Sequence, residues 1–321
     1  MLKTRIFPAL VAAALIAPGA AFAAGGKTVI HDPAFSFEGP FGTFDRLQLQ
    51  RGLQVFQEVC ASCHGMKFVS FRSLGEQGGP ELPDEQIKAL AALYEIPAEV
   101  GEPFIDTDGE RQEAAEYGDM RQGKATDKFP PVTSQNAPDL SLMAKARAGF
   151  HGPAGLLINQ LRKGIGGPEY IYSLMTGYVD TPECAGDADI DGWYNEAFAP
   201  GGYPEECKIF DEDGVEIGRK APGSWISMPP PLSEDLVEYT VYAAAGDGDH
   251  GGDTGKALEA PAPTVEQMSE DVSAFLMWTA EPKMVERKDA GLRNLLMIII
   301  LAVLLYYTNK KLWAPVKRKE A

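Results

Sequence analysis

Apolar positions recur along the chain at helical spacing in four places and run on unbroken in two. Leu49, Leu53, Phe56 and Cys60 lie four, three and four residues apart, the repeat of one helix face. Asp45 precedes them as an N-cap, with Phe44 and Leu49 at the two positions of a hydrophobic staple. A second helix is predicted from Asp84 to Tyr94, with Ile87, Leu90 and Tyr94 on one face. Asp139 is placed to cap a third, from Leu140 to Ala148, which carries Lys145 and Arg147. Thr264 and Gln267 form a capping box ahead of Met268, Val272, Phe275 and Leu276.

The two unbroken runs differ in kind. Ile6 to Ile16 follows Lys3 and Arg5 and precedes Ala21-Phe22-Ala23, so residues 1–23 read as a secretory signal and the mature chain begins at Ala24. Leu295 to Tyr307 is extended by Gly291 and Leu292, and Arg293, Lys310 and Lys311 can snorkel from its ends. Tyr306, Tyr307 and Trp313 suit an interfacial belt. A membrane span is predicted over 285–309, with the basic tail 310–321 on the cytoplasmic side.

Between these elements the chain is rich in glycine, proline and polar residues. Residues 24–44 form an ordered arm holding His31, which reads as a solvated side chain. Gly75 to Pro131 reads as an insertion; its Asp106-x-Asp108-Gly109 lacks the glycine and glutamate of a calcium loop. The stretch Gly149 to Gly167, which contains His151, lacks the order of a phosphate-binding loop, and close approach of backbone to a flat cofactor accounts for its glycines. Gly246 to Asp253 is a single copy of a calcium-nonapeptide-like pattern and reads as a solvated loop.

The 321 residues are 45% hydrophobic, enough for a sizeable core, and carry a formal net charge of −17. Residues 1–23 hold +2 and 285–321 hold +5, leaving about −24 on 24–284. Such a field argues against nucleic acid. It fits either a basic docking partner or a solvated acidic surface.

The densest chemistry is Cys60-Ala61-Ser62-Cys63-His64, the pattern that attaches a c-type haem through two cysteines and an axial histidine. A redox dithiol would follow a strand in a βαβ setting, and a zinc site would need further ligands nearby; neither context is present. A haem that shuttles electrons needs a sixth ligand, for which methionine is the common choice. Met66 is too near His64, and Met143, Met268 and Met277 sit in helical patterns. Met228, before Pro229, Pro230 and Pro231, is the favoured candidate. Arg72 follows the motif and reads as an exposed cation or a propionate partner. In an exported chain Cys184 and Cys207 most simply pair as a disulfide, with two free thiols as the alternative.

Several stretches together resemble the cytochrome c1 family, the haem subunits of cytochrome bc1 complexes (ubiquinol-cytochrome c reductase), in its alphaproteobacterial form. They are Arg51-Gly52-Leu53-Gln54-Val55-Phe56 leading into Val59 to Val69 with the C-x-x-C-H motif, Ala137-Pro138-Asp139-Leu140-Ser141, Gly166-Gly167-Pro168-Glu169-Tyr170-Ile171-Tyr172, Met228-Pro229-Pro230, and Asp271 to Pro282. The likeness is loosest over Gly75 to Lys128 and Gly246 to Ala262.

The resemblance implies a mainly α fold: a cytochrome c-like haem domain over 24–284 with long loop insertions, plus one C-terminal transmembrane helix. A domain of that kind packs its last helix on the one before the haem motif, so Phe275 and Leu276 are expected to meet Gly52 and Phe56. It also implies one covalent haem c on Cys60 and Cys63, with His64 and Met228 as axial ligands. Pro138 would lend its carbonyl to the other ring nitrogen of His64, while Arg147 and Tyr170 would face the propionates. Some bacterial members have a disulfide in the loop that matches Cys184 and Cys207. The implied function is one-electron transfer from a Rieske iron-sulfur protein to a soluble or membrane-anchored periplasmic cytochrome c, with no substrate bond made or broken by this chain. Cytochrome b would be the membrane partner in a dimeric multi-subunit complex of the bacterial inner membrane. A solitary anchored cytochrome and a haem peroxidase are the competing classes.

Overall fold

A computed structural model describes residues 28–101, 103–105, 111–113, 119–134, 136–149, 164–186, 190–239 and 260–319. The predicted signal at 1–23, His151, the Asp106 to Gly109 motif and the Gly246 to Asp253 loop lie outside the described residues. The elements, in chain order, are α1 (Arg46–Val55), α2 (Asp84–Ala92), β1 (Glu95–Pro97), β2 (Pro103–Ile105), β3 (Arg111–Glu113), β4 (Met120–Gln122), the single turn α3 (Met143–Ala146), α4 (Gly167–Thr176), β5 (Trp193–Asn195), β6 (Lys208–Phe210), β7 (Glu216–Arg219), β8 (Ser224–Ile226), α5 (Val265–Ala280) and α6 (Met284–Lys319). The fold is mainly helical, and its strands pair only as two-stranded antiparallel ribbons: β1 with β4, β2 with β3, β5 with β8 and β6 with β7.

Two compact units divide the chain. The larger comprises Ile30–Tyr178 and Met228–Ala321, the smaller Met1–Val29 and Val179–Ser227. In the larger unit α1 starts as its sequence dictates: the Asp45 carboxylate accepts the N–H groups of Leu47 at 2.8 Å and Gln48 at 3.1 Å. Its Leu49, Leu53 and Phe56 are buried with Val272, Phe275 and Leu276 of α5, and α1 on α5 is the most extensive contact between described elements. The approach is close because residue 52 is glycine. A Cβ there would lie 2.1 Å from the Asp271 carbonyl oxygen and 2.6 Å from the Phe275 Cβ. The expected meeting of Phe275 with Gly52 and Phe56 is observed, the two phenyl rings standing 6.1 Å apart.

An ion pair closes the same contact. Arg51 donates to both carboxylate oxygens of the fully buried Asp271 at 2.8 Å, and Tyr239 and Gln267 donate to Asp271 at 2.8 and 3.1 Å. The insertion is built onto the core by α2, whose Ile87 and Leu90 are buried, and by Tyr94, which packs on Phe71 and Phe129.

In the smaller unit β5 and β8 pair Tyr194 with Trp225, whose rings lie 4.8 Å apart over buried Ala185 and Cys207. Cys184 and Cys207 form a disulfide across 23 residues, as expected.

Beyond Pro282, α6 is one uninterrupted helix whose apolar residues from Leu292 to Trp313 are all exposed. Its membrane-compatible stretch, Met284–Pro315, has 32 residues and would reach about 48 Å, longer than the ~30 Å hydrocarbon layer. Lys288 near its start donates to the carbonyls of Phe37 and Gly42 at 2.5 and 3.3 Å, tying the base of this helix to the N-terminal arm.

Candidate functional site

The helix before the motif does not run straight into it. At Phe56–Cys60 the backbone widens to a π turn, in which the Ala61 N–H donates to the Phe56 carbonyl at 2.8 Å. The N–H groups of Cys63 and His64 then both donate to the Cys60 carbonyl, at 3.1 and 2.9 Å. Cys60, Cys63 and His64 therefore sit on one closed turn. Both cysteines are free, Cys63 exposed and Cys60 half-buried. Burial first, and the neighbouring Cys63 second, push the Cys60 thiol up to about 12, so it is neutral at ordinary pH.

His64 is oriented from outside the motif. Its Nδ1 lies 2.7 Å from the Pro138 carbonyl oxygen. A carbonyl only accepts, so Nδ1 carries the proton and Nε2 keeps its lone pair for a metal. Pro138 is held there by a short ladder: the Leu140 N–H donates to the Gly65 carbonyl at 2.9 Å, the Lys67 N–H to Asp139 at 2.9 Å and the Phe68 N–H to the Ser141 hydroxyl at 3.1 Å.

This ladder overturns the expected helix from Leu140 to Ala148. Asp139 spends its carboxylate on Lys67 and Ser141, and only Met143–Ala146 closes a helical turn, with no side-chain cap. Two glycines of this stretch admit the chain's own backbone: a Cβ at Gly167 would lie 1.6 Å from the Ala144 carbonyl oxygen and one at Gly149 2.4 Å from that of Gly166.

Among the other candidates, Met66 and Met268 are fully buried in the core, and Met143 and Met277 pack against it. Met228 is half-buried at the head of the Pro229-Pro230-Pro231 segment, and its carbonyl accepts a hydrogen bond from the Tyr178 hydroxyl at 3.1 Å. Tyr178 in turn stands near Tyr170, which is hydrogen-bonded to Arg147. Burial is the main cause that pushes the hydroxyls of Tyr170 and Tyr178 above the usual phenol range. Arg147 with Tyr170, and Tyr178 with Met228, thus form two neighbouring polar pairs. Nothing in the sequence points to Tyr178, because its contact reaches across 50 positions. Arg72 and His31 are exposed; the His31 N–H donates to the Ser173 hydroxyl at 2.8 Å.

The donor set fits a c-type haem: two free thiols three residues apart on one turn, and an imidazole whose tautomer is fixed with the outer nitrogen available. A model of the Cytochrome C1 family matches residues 35–316. The chain is 51% identical to the cytochrome c1 of Cereibacter sphaeroides, covering 100% of this chain and 99% of that protein. It is 47% identical to the cytochrome c1 of Rhodobacter capsulatus, over 99% of both chains. A protein of Bradyrhizobium diazoefficiens called cytochrome b/c1 is 37% identical over 95% of this chain, which spans 40% of that longer protein. With the family model matching most of its length and close relatives matching all of it, the chain belongs to the cytochrome c1 family.

Proposed function

We propose that this chain is the haem subunit of a cytochrome bc1 complex and carries single electrons from the Rieske iron-sulfur protein to a periplasmic cytochrome c. The observation that carries the reading is the His64 imidazole, proton on Nδ1 against Pro138, on the same turn as two free cysteines. Cys60 and Cys63 would hold the group by thioether bonds. His64, through Nε2, and Met228, through its sulfur, would hold the iron of such a group. Bound haem c supplies a one-electron couple. Arg147 and Tyr170, bonded to each other, would face its propionates, where Arg147 would supply positive charge.

The signal at 1–23 sends residues 24–284 to the periplasm, α6 crosses the inner membrane, and the tail at 310–321 stays in the cytoplasm. Cytochrome b is the membrane partner; the fused b/c1 relative supports this, since it joins the two names in one chain. Rapid mixing of the purified complex tests the electron path. Quinol should reduce the c-type signal only when the Rieske protein is present, and a basic cytochrome c should reoxidise it at a rate that falls with added salt. Reduction at an unchanged rate without the Rieske protein would contradict the path.

A further inference from the structure

We infer that Tyr178 is a positioning residue for the Met228 sulfur: its hydroxyl, bonded to the Met228 carbonyl, holds the backbone that delivers the sulfur to iron. The inference rests on the reading of Met228 as an axial ligand. Three observations support it. The hydrogen bond joins residues 50 positions apart at 3.1 Å, so it is a tertiary contact rather than a turn. The next three residues, Pro229, Pro230 and Pro231, have no N–H, so no backbone donor fixes that stretch directly after Met228; further on, the Asp235 N–H donates to the Pro263 carbonyl at 3.2 Å.

The third observation concerns both ends of that segment. Beyond the prolines it is clamped at 237–239: Val237 is fully buried, the Gln54 side chain donates to the Glu238 carbonyl at 2.8 Å, and the Tyr239 hydroxyl donates to Asp271 at 2.8 Å. Gln54 belongs to α1, the helix that leads into the cysteine motif. At the ligand end Tyr178 supplies the tie, from a residue that directly follows α4 and Gly177. The methionine segment is thereby strung between α4 and the α1–α5 pair. Two residues before Met228 the chain leaves β8, so the Tyr178 bond is the tie at Met228 itself, and its loss loosens the ligand residue while the far end stays fixed.

The test compares Tyr178→Phe and Met228→Leu with the unmodified protein, each as the full chain in the purified complex. The readouts are the weak far-red band of a sulfur–ferric iron bond and the rate at which carbon monoxide binds the reduced form. Tyr203→Phe is the control, removing a hydroxyl that donates to the Ala221 carbonyl in the smaller unit. Met228→Leu should abolish the band. Tyr178→Phe should keep the band but weaken it, and should speed carbon monoxide binding about fivefold, the factor expected for one neutral hydrogen bond; Tyr203→Phe should change neither. If Met228→Leu abolishes the band and Tyr178→Phe behaves as the unmodified protein, the Tyr178 role is overturned and the ligand reading survives. If the band persists in Met228→Leu, the ligand reading falls and the Tyr178 role with it.

Should Tyr178→Phe fail to accumulate, the unmodified complex still decides. Met228-Pro229 is the sole Met-Pro bond in the sequence, so isotope labels on the methionine carbonyl and the proline nitrogen single out its stretch in the infrared. A lowered, hydrogen-bonded frequency supports the role, and the frequency of a free tertiary amide overturns it.

Discussion

His64 shows how few atoms orient a candidate metal ligand. One ring nitrogen is spent on the Pro138 carbonyl, which sets the tautomer and the direction of the ring. The proposed ligand opposite it is a softer matter: a thioether has no second polar atom to be held by, so placing the Met228 sulfur would fall to its backbone. Met228→Leu should leave the haem attached at Cys60 and Cys63 while its potential drops by roughly 100 mV or more, since axial ligands set haem potentials over ~0.8 V. A potentiometric titration that finds an unchanged midpoint would remove Met228 from the iron. At this scale the cysteines and the histidine were legible because their roles depend on spacing along a single turn. Met228 was a candidate through its prolines and by elimination. Tyr178 was not legible, and neither was Asp139's tie to Lys67, because a side chain aimed at a distant backbone atom leaves no periodic trace.

The element that everything else is mounted on is the α1–α5 pair. Gly52 lets the two backbones approach, and the Arg51–Asp271 pair, bidentate at 2.8 Å, fixes their register. Asp271 has no exposed side-chain surface, so removing its cation would strand a buried charge. Arg51→Met should therefore cost about 3–5 kcal/mol in the thermal unfolding of the haem-loaded protein. Arg46→Met should cost under about 1 kcal/mol, because the Arg46–Glu81 pair is half-exposed and 3.4 Å apart. Equal losses in the two variants would contradict the lock. Helices α1 and α5 could be read from their caps and their apolar period, and α2 from its period alone. The box at Thr264 is only half formed: its hydroxyl accepts the Gln267 N–H at 3.1 Å, but the Gln267 side chain turns to Asp271 instead of back to the cap. The ribbons β1 to β8 could not be read, since strands of three or four residues are too short for alternation to register.

For the whole molecule, charge and hydropathy divide the labour. About −24 lies on 24–284, and the apolar, solvent-exposed α6 with its basic end suits a bilayer. Both features are sums over many residues, which is why the sequence carries them openly. The division of the chain at 29–30, 178–179 and 227–228 is different, because it depends on which segments meet in space. The reading of this chain as the haem subunit of a bc1 complex is tested most directly by a redox-difference spectrum of the tagged chain, solubilised in mild detergent and purified with whatever accompanies it. The account predicts a covalently bound c-type signal together with b-type haem, and a Cys60→Ser/Cys63→Ser variant that loses the former. A c-type signal with no b-type haem would instead mark a solitary anchored cytochrome and contradict the account.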